Sequence, residues 1–121
     1  KKNIFPVTIL RLYLAYGEKQ DLNRFIPITI NSCIKNLEFD CSNGLQKRDF
    51  IHVEDVVEAI YRSILHKKSK GKIFNLGTGK PLKIKFIIEL IRKKLSGGKP
   101  RYGKIKLRKD EIKYLFPWHQ F

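Results

Sequence analysis

Apolar positions along the chain recur with two different periods, and the changes of period mark its elements. Ile84, Ile87, Ile88, Ile91 and Leu95 stand at i, i+3, i+4, i+7 and i+11, which predicts an amphipathic helix. Val53, Val56, Val57, Ile60 and Ile64 predict a second one running to about His66, with Glu54 and Asp55 where a first turn favours carboxylates. A third is expected from about Asn23 to Lys35. Pro27 is tolerated in its first turn, and Ile26, Ile30, Cys33 and Ile34 are expected on one face.

Shorter β-prone runs separate these helices. Thr8 to Leu12 predicts a parallel strand buried on both faces and ended by Tyr16-Gly17, and Lys72 to Leu76 predicts another. Residues 37 to 53 read as strand, turn and strand, with Ser42, Asn43 and Gly44 in the turn and Arg48 at the start of the second strand. Lys104 to Arg108 is expected as a last strand with Ile105 and Leu107 inside. Glu18 to Leu22 and Lys67 to Gly71 are loops, Gly77-Thr78-Gly79 with Pro81 is a turn, and Ser96 to Pro100 ends the last helix. The alternation of strand and helix implies an α/β fold.

The 121 residues and 42% hydrophobic content suit one small folded unit rather than a disordered chain. No apolar run approaches a membrane span, and Cys33 and Cys41 lack metal-ligand spacing, which points to reduced thiols and a cytoplasmic protein. The net charge of +15 changes the picture more. Residues 1 to 61 carry eight Lys or Arg against eight Asp or Glu, whereas residues 62 to 121 carry eighteen against three. A lysine-rich solvated surface accounts for most of this excess, and attraction of an anionic nucleotide or an anionic membrane surface is the functional reading. Aromatics are not interleaved with the charges as stacking platforms on nucleic acid require.

Candidate chemistry concentrates between Gly44 and Val56. An Arg fixed at a strand end offers a planar fork of donors to a diphosphate, so Arg48 is the leading candidate; local pairing of Arg48 with Asp49 or Asp55 is the competing reading. Three other strings fail on physical grounds. Gly77-Thr78-Gly79-Lys80-Pro81 lacks the third glycine of a dinucleotide turn and the hydroxyl of a P-loop. Tyr102 and Lys106 match Tyr-x-x-x-Lys by letter, but Pro100 and Gly97, Gly98 and Gly103 oppose the helix that spacing needs. His52, His66 and His119 have no neighbouring nucleophile and read as surface or structural. No catalytic residue and no metal-ligand set is identified.

Four blocks carry a resemblance: Val7 to Gly17, Asn23 to Pro27, Gly44 to Val56, and Phe74 to Gly79. In this order and spacing they resemble the C-terminal part of the NAD-dependent epimerase/dehydratase family, the extended short-chain dehydrogenases acting on nucleotide-diphosphate sugars. The nearest branch is the reductases and epimerases that make deoxy sugars for bacterial surface polysaccharides. The resemblance implies late strands of a Rossmann sheet in residues 7–17 and 53–79, and a small α/β substrate-binding lobe in residues 18–52 and 80–115. It also implies that the N-terminal dinucleotide-binding portion is absent, that NAD or NADP serves the intact protein, and that this chain alone is inactive.

Roles follow from matched positions. Arg48 matches the Arg that grips the nucleotide diphosphate, Asn75 an Asn lining the same pocket, and Arg108, before Asp110 and Glu111, an Arg closing over the phosphates. Arg24 and Phe25 match the helix start that touches the nucleotide, and Tyr13 would run beside the nicotinamide. Many relatives carry Asn where Leu14 stands, which leaves the sugar open. Strands stripped of their sheet would expose apolar surface, so a partner portion or self-association is expected. The alternative function is a small basic non-enzymatic module binding RNA or anionic surfaces.

Overall fold

The protein is described by a computed structural model covering residues 5–110 and the backbone of 114–115. Its strands are β1 (Ile9–Leu12), β2 (Leu14–Tyr16), β3 (Glu38–Asp40), β4 (Lys47–Arg48), β5 (Phe50–His52), β6 (Ile73–Leu76), β7 (Leu82–Lys83), β8 (Lys99–Arg101) and β9 (Tyr114–Leu115). Helices α1 (Phe25–Ile34), α2 (Val53–Leu65) and α3 (Ile84–Leu95) lie between them. β1 pairs in parallel with β6, β2 with β5, and β3 with β8, while β4 is flanked by antiparallel β7 and parallel β9. The α/β expectation holds, and the three predicted helices form.

Side chains of β5 alternate between two small cores, as a pleated strand dictates. Phe50 packs against the cluster of Cys41, Ile84 and Ile88, which Phe25, Phe39 and Tyr102 extend. Ile51 enters the other, with Val56, Leu76, Ala15 and Ala59. His52 then caps α2, its Nδ1 accepting from the Glu54 amide at 3.2 Å. The amides opening α3 have no side-chain cap; Ile84 donates to the Gln46 carbonyl at 3.1 Å and Lys85 to that of Gly44 at 2.9 Å. The turn before Arg48 is thereby fastened to a helix end.

Four expectations need correction. The strand expected from Thr8 to Leu12 is not buried on both faces: Ile9 is 46% and Leu12 50% exposed, because β1 is paired only with β6 among the described residues. Helix α1 turns a different face inward. Thr29 and Cys33 are buried while Ile30 and Ile34 are exposed. Thr29 can be buried because its Oγ1 donates to the Phe25 carbonyl at 2.8 Å, and Cys33 seats against Gly98, where a Cβ would stand 2.6 Å from its Sγ. Residues 104–108 form no strand, and Ile105 is exposed; the edge of β3 is taken instead by Lys99–Arg101. Pro100 fits there because Lys99 donates to the Leu37 carbonyl and Arg101 accepts from the Cys41 amide, so the N–H that proline lacks is one that would point away from β3.

The fourth correction concerns Arg48. It does not begin the strand that holds Phe50. Arg48 belongs to the β7–β4–β9 sheet and Phe50 to the β2–β5 pair, with Asp49 as the switch between them.

Candidate functional site

Asp49 is fully buried, at 0% exposure. Its Oδ1 accepts from the Thr78 amide at 2.8 Å and the Thr78 hydroxyl at 2.7 Å, and its Oδ2 accepts from the Gly79 amide at 2.7 Å. Three donors offset the desolvation of a buried carboxylate. Two consequences follow for the sequence readings. Asp49 is not the local partner of Arg48, and the Gly77-Thr78-Gly79 turn spends amides on Asp49 that a phosphate cradle would need.

A cavity of about 480 Å³ opens beside Arg48. Arg48, Lys106 and Arg108 bring three cations to its wall, and among the described residues Asp40 is the one carboxylate there, already joined to Arg101 Nε at 2.7 Å. Phe25, Ile28, Phe39, Ile84 and Leu107 give an apolar side, while Ser42 and Gln46 hydrogen-bond each other at 3.0 Å. Arg48 Nη1 donates to the Lys47 carbonyl at 2.8 Å, which turns the guanidinium along its own strand. Phe25 lies with its ring centroid 6.0 Å from that of Phe50. Such a cavity can hold an anionic group at one end and a flat or apolar group at the other.

Of the residues singled out from sequence, the cavity wall brings together Arg48, Arg108 and Phe25. Arg24 is exposed, just before α1, with no side-chain cap bond. Asn75 is half-buried on β6, paired in register with Arg11, and is not in that wall. Tyr13 is half-buried at the carboxyl end of β1, its amide donating to the Leu76 carbonyl at 3.1 Å. Asp110 is exposed, and Glu111 lies outside the described residues. Sequence reasoning missed Lys106, Gln46 and Asp49. Lys106 reads as one lysine among many, and only the Ser42–Gln46 spacing within the turn hints that this polar pair faces inward.

The nearby titratable groups are structural. Burial raises the Cys41 thiol, with Asp40 and Glu89 adding to it, and burial likewise raises Cys33; neither is poised as a thiolate. Tyr102, the residue of the false Tyr-x-x-x-Lys match, donates its hydroxyl to Glu89 at 2.5 Å from a turn. Burial first, and that hydrogen bond second, push its phenol well above the ordinary value. His66 Nδ1 accepts from the Lys68 amide at 3.3 Å, and His119 lies outside the described residues. No group of His, Cys, Asp and Glu suited to a metal occurs among the described residues, and no described helix is long and apolar enough to cross a membrane.

Comparison with known proteins decides the lineage. The sequence pattern of the NAD dependent epimerase/dehydratase family matches residues 1–77. CDP-abequose synthase of Salmonella muenchen is 37% identical over 105 residues, covering 85% of this chain. The chain belongs to this family. It spans 36% of that relative's length, so roughly a third of a family member is present. Among solved structures, Pal from Bacillus thuringiensis superposes with a TM-score of 0.81 at 27% identity, covering 93% of this chain and 36% of that one. UDP-glucose 4-epimerase from Thermotoga maritima, solved with UDP-glucose, gives 0.79 at 24% identity over 88% of this chain and 35% of that one. The likeness in fold therefore extends beyond the matched residues 1–77.

Proposed function

We propose that this chain is the nucleotide-diphosphate-sugar-binding portion of an NAD(P)-dependent epimerase, dehydratase or reductase serving surface polysaccharide synthesis. The observation that carries this reading is the cavity whose lining combines Arg48, Lys106 and Arg108 with apolar residues that include Phe25 and Phe39. Cations suit the diphosphate, with Arg48 gripping it and Arg108 closing over it, and the apolar side suits the base or sugar. Arg24 and Asn75, outside the wall at the helix start and on β6, keep the nucleotide-contacting roles that the family match gives them. Leu14, half-exposed in the wall, offers the sugar a methyl surface where relatives offer an amide.

The division into two units follows the same reading. Residues 7–17 and 53–79 supply the parallel pair β1 and β6 with α2, as late elements of a Rossmann sheet. Residues 18–52 and 80–115 supply the lobe that surrounds the cavity. An open cleft of about 860 Å³ between α2 and the β1–β6 pair, lined by Leu10, Ala59, Phe74 and Leu76, is the surface that the rest of the sheet would cover in the intact protein.

The cofactor fits this chain only at its margin. Tyr13 stands at the carboxyl end of a parallel strand, where dinucleotides bind in such sheets, but the amides of Thr78 and Gly79 are committed to Asp49. NAD or NADP would supply hydride transfer from a site built mostly by the N-terminal portion, with Tyr13 as this chain's contact. A cytoplasmic location is supported by two buried, unpaired cysteines. Family membership leaves the RNA-binding alternative without an observation in its favour.

Calorimetry on the intact protein tests the reading. A nucleotide-diphosphate sugar should bind, Arg48→Ala should weaken it by about 1.5 to 3 kcal/mol, and Arg48→Lys should recover only part of the loss. Cofactor affinity should stay within a factor of about two. Unchanged sugar-nucleotide affinity with lowered folding stability would assign Arg48 a structural role instead.

A further inference from the structure

Arg48 is held by a strand of only two residues, too short to fix a long side chain by its ladder alone. What surrounds that strand is informative. On its N-terminal side, the carbonyls of Gly44 and Gln46 receive the first amides of α3. On its C-terminal side, every carboxylate bond of Asp49 goes to Thr78 and Gly79, about thirty residues away in sequence. The Asp49 carbonyl, meanwhile, accepts from the Leu14 amide at 3.1 Å. One residue thus ties two parts of the cavity wall, Arg48 and Leu14, to the turn that follows Asn75 on β6.

We infer that Asp49 is a positioning residue for Arg48: its buried carboxylate locks the Thr78–Gly79 turn to the end of β4 and so holds the guanidinium at the cavity wall, where the diphosphate would bind. This rests on the proposed nucleotide-sugar reading for its ligand, but not for its geometry. The chemistry of the clamp makes it specific to a carboxylate. All three partners are donors, so an amide in either orientation would present an NH2 group to at least one N–H. The anchored turn also depends on Gly79, whose φ of +76° a side chain would strain. Thr78 contributes twice, through its amide and its hydroxyl, and that hydroxyl in turn accepts from the Lys80 amide at 3.1 Å.

The test uses the intact protein labelled with 15N-arginine, with the Arg48 Nε–H signal assigned by its loss in Arg48→Lys. Three variants are compared: Asp49→Asn, Thr78→Val and Thr78→Ser. The wild type should give one sharp Arg48 signal, Asp49→Asn a shifted or broadened one, Thr78→Val an intermediate one, and Thr78→Ser should restore it. Titration with UDP, dTDP and CDP should show the tightest of the three weakened about tenfold by Asp49→Asn and about threefold by Thr78→Val, the scale of one lost charged and one lost ordinary hydrogen bond. If Asp49→Asn does not fold, the Thr78 pair carries the comparison alone. An Arg48 signal and nucleotide affinity left unchanged by Thr78→Val, with only the melting temperature lowered, would overturn the positioning role. A wild type that binds none of the three nucleotides, yet whose Arg48 signal still follows the series, would sink the nucleotide-sugar reading and leave the clamp standing.

Discussion

The two cores on either side of β5 differ in composition and in how far they close. Around the cavity, α1 and α3 close on each other: Ile88 is 0% and Cys33 1% exposed, and even Thr29 is buried with its hydroxyl satisfied. Around the β1–β6 pair, Ile9 and Leu12 remain about half exposed, and along α2 Val57, Ile60 and Ile64 face solvent. Aromatic side chains fill out the first core, whereas the second is made of smaller aliphatic ones. The first region holds two helices against one core, whereas in the second α2 and the β1–β6 pair leave apolar side chains exposed among the described residues. The cavity beside Arg48 sits with the region whose helices close on each other.

Substitutions at matched positions should break this contrast or sharpen it. The largest effect is expected at the helix contact of the first region: Gly98→Val combines a φ of +102° with a Cβ 2.6 Å from Cys33 Sγ, and should cost about 4 kcal/mol in urea unfolding. Next comes a paired comparison. Ile88→Ala should cost about 3 kcal/mol, whereas Ile64→Ala, at a side chain 73% exposed, should change the stability of this chain by less than about 0.5 kcal/mol. If Ile64→Ala costs more than about 1 kcal/mol only in the intact protein, the second core is completed there, as proposed.

A smaller effect tests the seam between α3 and β8. Tyr102→Phe removes the hydrogen bond to Glu89, leaving that carboxylate to Arg92 Nη1 at 2.9 Å, and should cost about 1.5 kcal/mol at neutral pH. Its pH dependence has a definite sign. The folded state holds the phenol proton more tightly than the unfolded state, so the stability from this group is complete below the unfolded value of about 10 and declines as pH rises beyond it. The two raised cysteines act in the same direction, so the slope difference between wild type and Tyr102→Phe isolates the tyrosine. Smallest of all is Glu58→Ala. It removes an exposed pair with Arg62 on α2, and thermal melts should register about 0.4 kcal/mol or less.

Legibility from sequence divided along the line between local and distant interactions. The isoleucine period of α3, the acidic first turn of α2 and the breaks at Gly77-Thr78-Gly79 and Ser96 to Pro100 are local signals, and the structure has these elements in those places. Arg48 and Phe25 stand in family-like blocks and Arg108 before an Asp-Glu pair, and all three line one cavity. The pairing of β3 with β8 joins segments about sixty residues apart, and neither carries an alternating pattern that names the other. The inward face of α1 was misread because hydropathy favours Ile30 and Ile34, whereas the tight approach of Gly98 favours the smaller Cys33. Asp49 was hardest to place. A carboxylate beside an arginine reads as a surface pair, and its donors lie far along the chain.

The alternation of β5 also fixes a length. Three residues separate Arg48 from His52, the cap of α2, and these three, Asp49, Phe50 and Ile51, face a turn, one core and the other core in succession. A single inserted or deleted residue would exchange the sides of Phe50 and Ile51 and pull Asp49 off Thr78. Residue types here can vary within their chemistry, but the count cannot, and this stretch is where the chain should tolerate no insertion or deletion.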